Sequence, residues 1–308
     1  MIEQSARTDL FEARPKTYGM GRTALATLLR DPVALAAVVF LAIVTLCALF
    51  GSQIAPHDAN EQHLRDRFTE PVWQTGDWTH VLGTDSLGRD VLSRIIVGAR
   101  LSLLIGVAAG LIAAAIGVTL GLLAGYARGF TEAVIMRLVD LQMAMPGLLL
   151  ILLIVNAIGP SVTLLIVILG FSAWMLFARV VRAETLTIVQ SAYVGAARAT
   201  GAPGHRIIIH HVAPNVFPTI LTLIVLDIGP LILAEAGLSF LGLGIQPPGV
   251  AWGLMVAQGR ESLNIAWWVM FFPGMAIMLT VLSLSLFAVW LRTLIDPLHR
   301  RSMLISKN

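Results

Sequence analysis

Six stretches of this chain, residues 33–50, 102–125, 138–158, 162–181, 216–233 and 267–291, are nearly free of charge. Each is about as long as a bilayer-crossing helix, which needs roughly 20 apolar residues to span the hydrocarbon layer. That periodless run of apolar length constrains the fold more than any motif does. Only 13% of the 308 residues are charged and 57% are hydrophobic, whereas soluble domains carry about 25% charged residues. The reading is an all-α integral membrane protein with six transmembrane helices. Residues 1–32 are too long and too acidic for a signal-peptide n-region, so the first apolar run is read as a retained helix.

The distribution of Lys and Arg sets the orientation. With the N-terminus in the cytoplasm, the outer segments hold only Arg65, Arg67, Arg89, Arg94, Arg100 and Arg260 of the chain's 21 Lys and Arg. Both termini are therefore expected inside. The resulting plan is a cytoplasmic segment 1–32, a first helix 33–54 and an external loop 55–99. A five-helix core, 100–292, carries a cytoplasmic loop 192–215, and a cytoplasmic tail, 293–308, follows. No Lys/Arg-rich run tracks phosphates, so nucleic acid is not an expected partner. The single cysteine, Cys47, cannot make an internal disulfide and is read as a small core or lipid-facing residue.

The loop 192–215 (AYVGAARATGAPGHRIIIHHVAPN) is polar and cationic but regular in its small residues. Ala196, Ala197 and Ala199 keep one helix face small, and Gly201 and Gly204 flank Pro203 in a turn. Such a segment is a docking surface for a partner outside the bilayer. In the external loop, Val91, Leu92, Ile95, Ile96 and Ala99 recur at helical spacing, and Asp90 and Arg94 form an i,i+4 pair. The reading is a short amphipathic helix lying at the outer interface, or else a solvated connector. Segment 235–266 contains Pro247–Pro248 and several glycines, and lines an outer gate or forms a surface loop with a Trp anchor. In the second run, Gly106, Gly110, Ala114, Gly117, Gly121 and Gly125 share a face. That face packs either within the chain or against a second subunit.

Chemistry is sparse. There is no phosphate-binding loop, and no His, Cys or carboxylate set has metal-ligand spacing. His210 and His211 are adjacent, so a helix points them about 100° apart, which suits docking better than chelation. Asp140, three residues after Arg137, is read as half of a local ion pair. Asp227 lies roughly 18 Å into its helix and faces a water-filled path, a polar partner or a subunit interface, with Gly229 and Pro230 placed to kink the helix. Glu235 is expected to snorkel at the outer boundary.

Four stretches together resemble the C-type permeases of ABC dipeptide and oligopeptide importers: LGTDSLGRDVLSRIIVGARLSL, AARATGAPGHRIIIHHVAPN, AEAGLSFLGLGIQPPGVAWG and LRTLIDPLHRR. IAPHDANEQ after the first helix also fits, so the likeness runs from about residue 30 to residue 301. It implies a type I importer fold and places the family's EAA coupling loop on Gly195, Ala196, Ala197, Arg198, Ala199, Gly201 and Gly204. The motif's usual leading Glu is Gly195 here, which removes the acid that would pair with the ATPase. Residues 287–290 also depart from the glycine-containing sequence often seen there. The resemblance further implies a second, B-type permease, two cytoplasmic ATPase subunits that hold ATP and Mg²⁺, and an external solute-binding protein. It implies a bacterial cytoplasmic membrane as the location and no cofactor on this chain. Asp227 and Glu235 are the candidate polar path. Two other readings compete with it. An ion-coupled secondary transporter using Asp227 lacks a convincing internal repeat. A membrane-embedded enzyme lacks a paired nucleophile and base.

Overall fold

The computed structural model describes residues 27–295. The segments expected at 1–32 and 293–308 fall mostly outside them, and with them Arg7, Arg14, Lys16, Arg22, Arg300, Arg301 and Lys307. The helices are α1 (Pro32–Ile54), α2 (Val72–Thr75), α3 (Val91–Ala127), α4 (Gly129–Ala144), α5 (Gly147–Ile158) and α6 (Val162–Val189). They continue with α7 (Ala192–Ala199), α8 (Gly204–Ile207), α9 (Ala213–Phe240), α10 (Trp252–Gly259) and α11 (Trp268–Ile295). Among the described residues there is no strand, only an isolated bridge between Thr84 and Asp90. Local chemistry explains several helix starts. Asp31 accepts from the backbone N–H of Val33 and Ala34 ahead of Pro32 at the first position of α1. Ser161 accepts from Leu164 N–H at the start of α6.

Five helical stretches are long and apolar enough to cross a membrane, or six if α4 and α5, bent by 82°, count as one span. The third apolar run is thus not a straight helix. Pro146 has no N–H and stands at the break, between Met145 and Gly147. The second run is longer than its apolar part, because α3 begins at Val91. Residues 91–99 are the first turns of that helix and not a separate interfacial one. The helix containing Asp227 is longer too. From Gly204 it passes through a π-helical turn, Ile208–Val212, and runs to Phe240 with Pro218 and Pro230 inside.

The small-residue stripe of α3 packs inside the chain. A side chain at Gly121 would come within 2.8 Å of Ala178 O and 2.9 Å of Val181 Cβ. Gly117 abuts Trp174 O and Phe177, and Gly125 abuts Thr185, all on α6. Gly170 returns the contact against Ala109 O and Ile112 of α3. Paired numbers rise together, so α3 and α6 run in the same direction. On the same α3, Gly106 meets Ile232 and Gly110 meets Ile228, so α9 runs the other way. Gly51 of α1 meets Ile96 and Val97, while Trp268 of α11 touches Gly83 just before α3. The end of α1, the start of α3, the end of α9 and the start of α11 therefore share one end of the bundle. The start of α1, the end of α3 and the segment 192–215 lie at the other.

Candidate functional site

The segment between α6 and α9 is a helix–turn–helix. Val194, Ile207 and Val212 are fully buried and pack with Val181, Val189, Val216 and Ile220. Neighbouring Ile209 is exposed, so residue type alone does not tell which side faces in. Gly201, at φ +80°, makes the turn, with the backbone N–H of Ala202 donating to Ala197 O at 3.1 Å. Such a φ favours glycine.

The opposite face is open. Gly195, Ala196, Arg198, Ala199 and Gly201 are exposed, and Ala197 is half-buried. A side chain added at Gly195 or Gly201 would meet nothing within 4 Å. Gly204 differs, since a Cβ there would lie 3.0 Å from the ring of Tyr126 at the end of α3. The Arg198 guanidinium sits 5.4 Å from the same ring's centroid. Tyr126, which no motif singles out, is therefore the post against which the segment rests. The segment holds Arg198, Arg206 and three histidines and no acid. Pro214 lies in the first turn of α9.

The two acids of the candidate polar path do not converge. They are eight residues apart on α9, roughly 12 Å along its axis and about 80° around it. Asp227 Oδ2 is buried without a hydrogen-bond partner. Glu235 is 1% exposed, so it does not snorkel. It accepts from Ser239 Oγ at 2.6 Å, and its other oxygen lies against Gly253. Asp140 pairs across helices with Arg179 at 2.6 Å and not with Arg137, because its side chain projects from α4 toward α6. Glu132 and Arg182 make a second bridge between the same helices.

The opposite end of the bundle is densely bonded. The expected Asp90–Arg94 pair is absent there, since the N-cap geometry of Asp90 turns its carboxylate back to Ser93 and His80. Arg94 instead donates to Ala59 O at 3.1 Å and to Gln258 Oε1 at 3.2 Å. Arg89 donates to Asp85 at 2.7 Å and to the same Gln258 at 3.1 Å. Gln258 of α10 thus ties segment 235–266 to α3. Trp252 is no surface anchor, being 1% exposed with its indole N–H donating to Ile95 O at 2.8 Å.

Known proteins share this pattern of residues along most of the chain. The family model for the binding-protein-dependent transport system inner membrane component matches residues 117–301. The model for the N-terminal TM domain of oligopeptide transport permease C matches residues 19–71. The chain is 40% identical over 265 residues to the di/tripeptide transport system permease protein of Pseudomonas aeruginosa, covering 86% of this chain and 88% of that one. It is 40% identical over 269 residues to the glutathione transport system permease protein of Escherichia coli, covering 87% of each.

Proposed function

The chain belongs to the family of binding-protein-dependent transport system inner membrane components, as an ABC-importer permease subunit with no ATPase site of its own, and from that premise we propose what it moves and where it is driven. Its substrates are dipeptides, oligopeptides or solutes of that kind, glutathione included. Segment 195–204 faces the bacterial cytoplasm and seats in a cleft of an ATPase subunit. A B-type permease completes the pore, and a solute-binding protein delivers the substrate at the far end. ATP and Mg²⁺ stay on the ATPase pair. Closure of that pair pulls the two coupling segments together and rocks the pore from inward- to outward-facing.

One observation carries the coupling role: Gly195, Ala196 and Ala199 keep part of the exposed side of the elbow small, with nothing beyond Gly195 or Gly201, while Val194, Ile207 and Val212 pin its inner side. A rigid elbow with an empty outer face transmits force to whatever fits against it. Helix directions support the topology. Because α3 and α6 run the same way, a return crossing by the bent pair α4–α5 fits this reading, with six crossings in all. The start of α1 and the elbow then share the cytoplasmic side, and 100–292 forms the force-bearing core.

The test is Ala196→Arg in the transporter reconstituted with its ATPase. Ala196 is exposed, so the variant is expected to insert and melt like the parent while uptake of a labelled dipeptide falls by about tenfold or more, about 1.4 kcal/mol of lost coupling. Normal uptake would move the dock elsewhere. Parent uptake that continues without ATP and follows a proton gradient would overturn ATP coupling in favour of an ion-coupled route through Asp227.

A further inference from the structure

We propose that His57, His80 and Asp90 form a binding site for one divalent metal ion of the Zn²⁺ type. The three residues lie far apart in the sequence, which is why spacing did not reveal them. His57 follows α1, His80 precedes the Thr84–Asp90 bridge, and Asp90 caps α3. One ligand atom from each lies within 4.8 Å of the others. His80 Nδ1 is 3.1 Å from Asp90 Oδ1, and His57 Nδ1 is 3.8 Å from Asp90 Oδ2. A tetrahedral centre with bonds of about 2.05 Å spaces its ligands about 3.3 Å apart, so the His80–Asp90 separation is close to what zinc requires and the partly exposed His57 ring would draw inward to complete the set.

The state of His57 points to a ligand. Its Nδ1 is buried and has no hydrogen-bond partner, and 3.8 Å to the carboxylate is too long for one. Buried polar atoms in native structures are normally satisfied. A metal between the rings and the carboxylate satisfies this nitrogen. The rings are disposed for it, with centroids 4.9 Å apart and planes tilted by 39°.

The surroundings hold the ligands in place, as the outer shell of a metal centre does. Ser93 donates from both its backbone N–H, at 2.8 Å, and its hydroxyl, at 2.7 Å, to Asp90 Oδ2. The same hydroxyl accepts from the backbone N–H of His57 at 3.0 Å. Asp90 is 2% exposed and His80 10%, while His57 is 35% exposed and leaves an entry path and a coordination position for water. Two imidazoles and one carboxylate suit Zn²⁺ and its borderline neighbours over Mg²⁺ or Ca²⁺. To ligate through Nδ1, the neutral His80 ring would carry its single proton on Nε2. The bound ion clips the end of α1 to the start of α3. This inference does not depend on the substrate or on the coupling segment.

The full-length chain purified in detergent, stripped with EDTA and re-equilibrated with Zn²⁺, is expected to hold one equivalent by elemental analysis and to melt at a higher temperature with zinc than without. In the double variant His57→Ala/His80→Gln, affinity is expected to fall at least about a hundredfold, since even outer-shell losses cost 10–100-fold. The zinc-dependent rise in melting temperature should disappear with it. A His210→Ala/His211→Ala control should behave like the parent. Should the double variant aggregate, the parent's Co²⁺ spectrum decides, with intense visible bands of a low-coordinate nitrogen-bearing centre expected. Equal zinc binding by parent and double variant, loss of zinc in the control instead, or only the weak bands of hydrated Co²⁺ would each overturn the site.

Discussion

Helix α3 and the segment 192–215 are both rich in glycine and alanine, yet the structure uses them in opposite ways. On α3, the space beyond Gly117, Gly121 and Gly125 is filled by the backbone and side chains of α6. On α7 and its turn, the space beyond Gly195 and Gly201 is empty. Charged groups repeat the contrast. Arg94 of α3 is buried with three partners, whereas Arg198 is exposed over one aromatic ring. One region completes its contacts within the chain. The other leaves its outer face open.

The contrast is sharpest where a buried cation is removed. Arg94→Ala leaves Asp85 short of a partner, Ala59 O without its donor and Gln258 Oε1 with Arg89 alone, which costs about 3–5 kcal/mol. It should produce the largest fall in the melting temperature of the detergent-solubilised chain. A parent-like melt would show that the outer cluster is not closed on itself. Next, Gly121→Leu forces a side chain against Ala178 O and Val181, an overpacking of about 1–3 kcal/mol. Its counterpart Gly195→Leu should leave the melting temperature unchanged and reduce only ATP-driven uptake. Equal destabilisation by the two leucines would break the comparison outright. The smallest effect is expected from Arg198→Ala, which loses an exposed cation–π contact worth about 0.5–1 kcal/mol.

Much of this was legible in the residues and some was not, for reasons that individual positions make plain. The six apolar runs located the spans because lipid demands length and apolarity, which are local properties. They missed the 82° bend at Pro146, since residues 143–155 on either side of it carry no polar side chain. The helical spacing from Val91 was legible, but not that those turns are continuous with the second span, because the partners of Arg94 lie far along the chain. The segment 192–215 stood out by its small residues and its turn, and Gly201, at φ +80°, does lie in a turn. That Tyr126 supports it was invisible, as a lone tyrosine at a helix end carries no pattern.

The sequence by itself determined that this chain lies in a membrane, which family it belongs to, and where its chain reverses. Those follow from residue type and near-neighbour order. Only the tertiary structure decided which glycines are closed and which are open, which acid meets which base, and that His57, His80 and Asp90 meet at all. Those are facts about groups far apart along the chain, brought within a few ångströms only when helices of known direction pack side by side.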